Sequence, residues 1–322
     1  MQHHFINISS DVEHPFEKSL WIGKGRKYPK NPLDVPFGLI NYCNHLLEIP
    51  DDIAQKFIPD SSLDIKAFLR YKLPDITFSL PIKKAQCCFS NKTPNENTTF
   101  LEHRRIPSHA LVSSLKEYFR QAILDGAQSV EDPQFPGSRL PLWCIAYWKE
   151  MHLIHDIQQG WRKGMRCIEE HIPLADGLGE IETLRKARLY LENLRWRESL
   201  HIPGADGATT STYTFTAFLS NDSLMNTDHI NMMFSYLSDR AEKDELTDAS
   251  VIIETLRFMH AIEKASSATD FNKPSETYLQ RLEERIRREN ITALMIPVHM
   301  LAEMHWVAIR IDFEEQEIAI GA

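Results

Sequence analysis

The 322-residue chain is 43% hydrophobic and 25% charged, with a formal net charge of −9 and a pI of about 5.9. Such a chain can bury a sizeable core, and its length suggests two domains rather than one. An acidic chain lacks the positive surface that nucleic-acid backbones and anionic membranes attract, so no strong nucleic-acid binding is expected.

The five cysteines, Cys43, Cys87, Cys88, Cys144 and Cys167, are odd in number and irregular in spacing. They do not read as a disulfide framework and point to a reducing intracellular compartment, nucleus or cytoplasm. The opening MQHHFINISSDVEHPFEKSL has no basic segment leading into an apolar one, and is not read as a signal peptide. No stretch approaches the roughly 18 apolar residues of a membrane span, so no membrane partner is expected.

Residues 1–106 read as an irregular, proline-rich region. KYPKNPLDVPF and KTPNENTTF are loops, DIAQKFI a short helix, and ITFSLPIKKAQCCF a strand or two. Residues 107–200 read as a helical module. Pro107 and Ser108 suit a helix start, and Leu111, Leu115, Phe119 and Ile123 follow at helical spacing. Leu142, Ile145, Trp148, Met151, Ile154, Trp161, Met165 and Ile168 carry a second apolar stripe, and Ile181, Leu184, Leu191 and Leu194 a third.

Residues 201–215, HIPGADGATTSTYTF, are the best linker, with two glycines, a proline and small polar residues. Residues 216–322 then read as α+β. NTDHINMMFSYLSDRAEK has Asn226 and Thr227 as caps and Ile230, Met233, Phe234 and Leu237 on one face. SVIIETLRFMHAI is a strand running into a helix, and SETYLQRLEERIRREN a helix that Ser275 opens and arginines close. ITALMIPVHM is a buried strand. In HWVAIRIDFEEQEIAIGA, Val307, Ile309 and Ile311 share one face and Ala308, Arg310 and Asp312 the other. Glu314 to Gln316 make a polar turn, and Ile318 and Ile320 resume the alternation.

Several side chains are candidates for chemistry. His305, at a strand start beside Trp306, has two readings: a general base oriented by a neighbouring strand, or an exposed turn histidine with no role. His152 and His155 have a spacing that can bind metal, but no third ligand is evident and a solvated helix edge is the alternative. Cys87-Cys88 lacks zinc-site spacing, so no metal centre is assigned. Arg281, Arg285, Arg287 and Arg288 alternate with Glu283, Glu284 and Glu289 as a salt-bridged solvent face. The Trp148 and Trp161 stripe reads as core. No glycine loop of the phosphate-cradling kind occurs, so no cofactor is expected.

Taken in order, DHINMMFSYL, LMIPVHM and HWVAIRIDFEEQEIAIGA resemble the ubiquitin-like-protein-specific, SUMO-type cysteine protease family. That family has a Trp-Leu-x-Asp element before a helix, an Ile-Pro-Ile strand, and His-Trp-Val entering an Ile-Asp strand. The likeness runs from Phe218 to Ala322. LPLWCIAYWKEMH also resembles the upstream part of large fungal proteins of mobile elements that carry such a domain.

The resemblance implies a papain-like, adenovirus-proteinase-like α+β protease domain after the helical module, and a ubiquitin-like modifier or its conjugates as partner. His305 falls on the triad histidine. Trp306 falls on the tryptophan that roofs the channel for the modifier's glycine tail, and Asp312 on a strand aspartate outside the triad. The family's triad aspartate falls on Ala322, and its Trp-Leu-x-Asp tryptophan and aspartate fall on Leu224 and Thr227. The expectation is therefore an incomplete protease domain that lacks the nucleophile and the triad aspartate and is inactive as it stands. The alternative is a non-catalytic protein-binding module or scaffold.

Overall fold

The computed structural model describes residues 16–76, 85–132, 134–201, 209–219, 227–243, 250–266, 277–300 and 305–321. These divide into two compact units, one of Met1–Asp60 with Ala67–Gln159, the other of Ser61–Lys66 with Gly160–Ala322.

In the first unit, the proline-rich region folds into short helices: α1 (Lys18–Trp21), α2 (Phe37–His45), α3 (Asp51–Phe57) and α4 (Ile65–Arg70), the last straddling the division. The DIAQKFI segment is α3, whose first-turn Asp51 and Asp52 suit the positive end of the helix dipole. Of ITFSLPIKKAQCCF, residues 77–84 lie outside the described residues. The rest forms a 3-10 turn at Ala85–Cys88 and enters strand β1 (Phe89–Ser90). Antiparallel pairing joins β1 to β2 (Ser129–Glu131), and β2 to β3 (Arg139–Leu140).

Helix α5 (His109–Leu124) starts where the sequence places it. The Ser108 hydroxyl accepts the Leu111 N–H at 3.4 Å, satisfying one of the amides a helix start leaves open. Its stripe of Leu111, Leu115, Phe119 and Ile123 is buried throughout. Helix α6 (Cys144–His171) likewise buries all seven of its stripe residues, from Ile145 to Ile168, and Leu142 is buried just before it. Each such side chain is worth about 1.5–3 kcal/mol of transfer free energy, so these two stripes dominate the packing of the helical region.

The boundary between the units falls inside α6, and its last turns belong to the second unit. There the GWRKG run places Gly160 and Gly164 one turn apart on the same face. A methyl group on Gly160 would stand 2.9 Å from Tyr213 Cε2, and one on Gly164 2.9 Å from Leu219 Cβ. The two glycines thus admit the segment that holds a 3-10 turn at Thr212–Thr214 and helix α8 (Phe215–Leu219).

Helix α7 (Leu178–Glu192) has no fully buried residue. Its Ile181, Leu184 and Leu191 are half-buried, while Leu178 is 88% exposed. The described residues of segment 201–215 continue an antiparallel hairpin of β4 (Ser199–His201) and β5 (Thr209–Ser211); residues 202–208 lie outside the described residues.

Helix α9 (Thr227–Lys243) follows; the expected cap Asn226 lies outside the described residues, as does Ser275. The α9 face differs from expectation. His229, Ile230 and Ser235 turn inward, whereas Met233 and Leu237 are 36% and 43% exposed. The helix lies beside the three-residue strand β6 (Val251–Ile253).

The sheet of this unit has the order β6-β7-β8-β9, with β7 (Ala293–Met300), β8 (His305–Asp312) and β9 (Glu317–Gly321). β6 and β7 are parallel, and the helices α10 (Leu256–Ser266) and α11 (Thr277–Arg288) lie between them in sequence, as a parallel connection requires. The other pairs are antiparallel. The core of Ile252, Leu282, Ile291, Leu294 and Ile296 packs against Phe258 and Met259 of α10 and Tyr278 and Ile286 of α11. Val298, Ile309 and Ile311 extend it along the sheet. On α11 the arginines pair as the alternation implies, Arg285 and Arg288 with Glu289 and Arg287 with Glu283.

Candidate active site

Strand register fixes the site. In β7 and β8, Met300 lies opposite His305, His299 opposite Trp306, Val298 opposite Val307 and Ala293 opposite Asp312. Residues paired across antiparallel strands share a face, and successive residues alternate. His305 therefore stands on the face of Val307, Ile309 and Ile311, the face that α10 and α11 cover lower down, and it is exposed at the start of the strand. Trp306 and Asp312 stand on the opposite face.

Trp306 is half-buried, and its indole stacks on the His299 imidazole with ring centroids 4.4 Å apart and planes 29° from parallel. His299 is the residue of this site that pattern reading passed over. Its signal is present in the sequence, since the strand ending in IPVH is followed closely by HW and a hairpin brings the two ends together.

Asp312 is seven residues from His305 and serves the turn instead. Its carboxylate accepts the backbone N–H groups of Glu314 and Glu315, both at 3.1 Å, and Arg310 donates to it at 2.9 Å. These donors, the Glu315 amide first, hold its carboxyl below the usual carboxylate range. The turn they close leaves Gln316 in the left-handed region at φ 55°. β9 pairs with Ala308 through Asp312, so among the described residues His305 has a strand neighbour only on the β7 side.

The His152 and His155 pair is neither a metal centre nor a solvated edge. The ring of His152 is buried and bonds the Pro107 carbonyl at 2.8 Å, while His155 bonds the Pro74 carbonyl at 2.7 Å. Each imidazole is thereby engaged by a loop carbonyl. Among the described residues no three His, Cys, Asp or Glu side chains gather as a metal site. Trp148 and Trp161 are core residues, 3% and 0% exposed. No helix among the described residues is long and apolar enough to cross a membrane. The cysteines form no disulfide; Cys43, Cys88 and Cys144 are buried, and burial pushes the Cys43 and Cys144 thiols up.

Residues 223–320 match the family model of the Ulp1 protease family, C-terminal catalytic domain, which supports a ubiquitin-like protease domain over that part of the chain. The match covers the sheet with His305 and Trp306, and less than half of the chain. No curated protein and no solved structure matches it.

Proposed function

We propose that the end of the β7–β8 pair at which Met300 faces His305 receives the extended C-terminal tail of a ubiquitin-like modifier, of the SUMO type or a relative, with Trp306 as the wall of its channel and His305 as the family's triad imidazole. The carrying observation is the register. It turns the two side chains to opposite faces at one strand end, and His299 pins the indole in place. A flat, fixed aromatic surface accepts a glycine-rich tail because glycine has no side chain to keep it away.

In this reading the chain as it stands holds the tail without cleaving it. A cysteine peptidase needs a thiol beside the imidazole that takes its proton. Cys43, Cys88 and Cys144 are buried, and Cys167 lies on α6 with His171 as its neighbour. The protein then acts inside the cell, in nucleus or cytoplasm, where its thiols stay reduced.

The test is a titration of the full 322-residue chain with labelled modifiers and with fluorogenic modifier-tail substrates. Saturable binding that Trp306→Ala abolishes, without turnover, is the expected result. An absence of binding at high micromolar concentration overturns the tail site. Turnover that an alkylating agent stops overturns the non-catalytic reading.

A further inference from the structure

The chain is acidic as a whole, but one surface of the first unit is not. From Lys18 to Leu33 the sequence holds Lys18, Lys24, Arg26, Lys27 and Lys30 and no aspartate or glutamate. Part of this segment is strapped to α5. The Gly23 N–H donates to the Leu124 carbonyl at 2.7 Å, the Tyr28 N–H to Gln121 Oε1 at 2.8 Å, and Gln121 Nε2 to the Arg26 carbonyl at 3.0 Å. Lys24, Arg26, Lys27 and Lys30 are all exposed.

On α5 itself, Lys116 and Arg120 stand one helical turn apart, and the Arg120 guanidinium lies over the Tyr28 ring at 5.4 Å. The Lys149 ammonium, carried by α6, comes within hydrogen-bonding reach of the Lys116 ammonium. Two ammonium groups have donors only, so they cannot satisfy each other, and their like charges repel. Lys149, and after it partial burial, holds Lys116 below the usual lysine range. The positions three and four residues from Lys116 and from Lys149 hold no acidic side chain. Among the described residues no carboxylate forms an ion pair with Lys116, Arg120 or Lys149. The Tyr28 hydroxyl, next to Arg120, is buried and finds no acceptor. Donors and positive charge thus gather at one place without the acceptor that would balance them.

We propose that Lys116, Arg120 and Lys149 form a binding site for the phosphoryl dianion of a small soluble ligand, a phosphate monoester or free phosphate. A phosphoryl group has three terminal oxygens and nearly two negative charges at neutral pH, enough to accept from both ammonium groups and from the guanidinium fork. A carboxylate has two oxygens and one charge and would leave the lysine repulsion largely in place. The exposed cations of the strap raise the local potential and draw an anion in. The net charge of −9 opposes a long polyanion, which would run onto the acidic remainder of the surface, but not a compact ligand seated on this patch.

The experiment is calorimetric titration of the full chain at low ionic strength and about pH 7.5, where a phosphate monoester is a dianion. The probes are inorganic phosphate, O-phosphoserine and, as a control, acetate. One phosphate or phosphoserine per chain is expected, with acetate not binding; the tighter of the two phosphoryl probes distinguishes free phosphate from an ester. Lys116→Gln and Lys149→Gln should each weaken binding by about tenfold or more, the loss of one charge-assisted hydrogen bond. Lys186→Gln, at an exposed lysine of α7 paired with Glu182, should leave affinity unchanged. Melting of the same variants separates binding from structure. Phosphate should raise the melting temperature of the parent and not that of Lys116→Gln, and without ligand Lys116→Gln should melt no lower than the parent, since it relieves repulsion. No saturable binding of either phosphoryl probe, equal binding of acetate, or unchanged affinity in the two lysine variants would each overturn the site. A single-stranded oligonucleotide binding more tightly than either probe would overturn the compact ligand in favour of a nucleic-acid face, and a lower melting temperature of ligand-free Lys116→Gln would make that lysine structural.

Discussion

The imidazole of His299 lies against the indole of Trp306, centroids 4.4 Å apart, and the two residues are direct partners in the β7–β8 register. The backbone thus sets the pair face to face before any side-chain choice is made, and the stack removes the rotamer freedom the indole would otherwise keep at a strand end. Aromatic pairs of this kind contribute about 0.5–1.5 kcal/mol beyond the area they bury. A double-mutant cycle of His299→Ala and Trp306→Ala, read by urea unfolding, should return a coupling in that range. A coupling near zero would mean that the rings are neighbours without mutual support.

The sequence reveals this site unevenly, for physical reasons. Alternation in HWVAIRID assigns Val307, Ile309 and Ile311 to one face and Asp312 to the other, because strand periodicity is fixed by backbone geometry. It does not give the register of β7 against β8, which depends on a turn, so His299 stayed hidden. The α6 stripe was legible because eight large apolar residues at helical spacing admit one burial pattern. The α9 face was legible only in part: Ile230 is buried, but Met233 and Leu237 are left open. His152 and His155 carry a metal spacing, but their partners are carbonyls 45 and 81 residues away, which no local pattern shows.

Gly164 of α6 and Gly179 of α7 give a prediction of opposite signs for one substitution. In an exposed helix, Gly→Ala gains about 0.5–1 kcal/mol, because alanine loses less backbone freedom on folding. Gly179 in α7 meets nothing within 4 Å, so Gly179→Ala should stabilise by that amount. At Gly164 the new methyl stands 2.9 Å from Leu219 Cβ and 3.0 Å from its Cδ1, and overpacking of this kind costs about 1–3 kcal/mol. Gly164→Ala should therefore be destabilising, by up to about 2 kcal/mol once the helix gain is subtracted. Urea unfolding of the two variants side by side checks the sign.

The buried His152 predicts a loss of stability in acid. Burial, the largest influence, pushes its pKa below the ordinary 6.5, and the Pro107 carbonyl pulls it back only in part. His109, whose ring packs edge-on with centroids 5.3 Å away, and His155 push it further down, while Asp156 raises it. A base whose folded pKa is depressed stays neutral in the fold while the unfolded chain takes up a proton. Its contribution is intact above 6.5 and is lost as pH falls through 6.5 toward the folded value. The slope from one such group is at most about 1.4 kcal/mol per pH unit. Between about pH 7 and about pH 5, His152→Gln should show a shallower fall of melting temperature than the parent, since an amide can still donate to Pro107 and does not titrate there. Equal slopes would assign the acid sensitivity to other groups.

Arg104 organises the polar interior of the first unit. Its guanidinium donates to Asp132 at 3.0 Å and to the Ser138 hydroxyl at 2.6 Å, pairs with Glu96 at 3.2 Å, and lies over the Phe135 ring at 4.4 Å. Asp132 is only 3% exposed, and its carboxyl is held above the usual range because burial outweighs the pull of Arg104. The costly group here is therefore the carboxylate, and the arginine is what makes its burial tolerable. Arg104→Met keeps the stem and removes the charge, leaving Asp132 buried without its partner, and should cost about 3–5 kcal/mol. Asp132→Asn removes the buried negative charge and keeps an acceptor for Arg104, so it should cost about 1 kcal/mol or less, with Glu96 left to balance the guanidinium. The double variant should cost less than Arg104→Met alone, because the stranded carboxylate is gone. Urea unfolding of the three variants measures the order, and a double variant as weak as or weaker than Arg104→Met would refute the carboxylate as the source of the penalty.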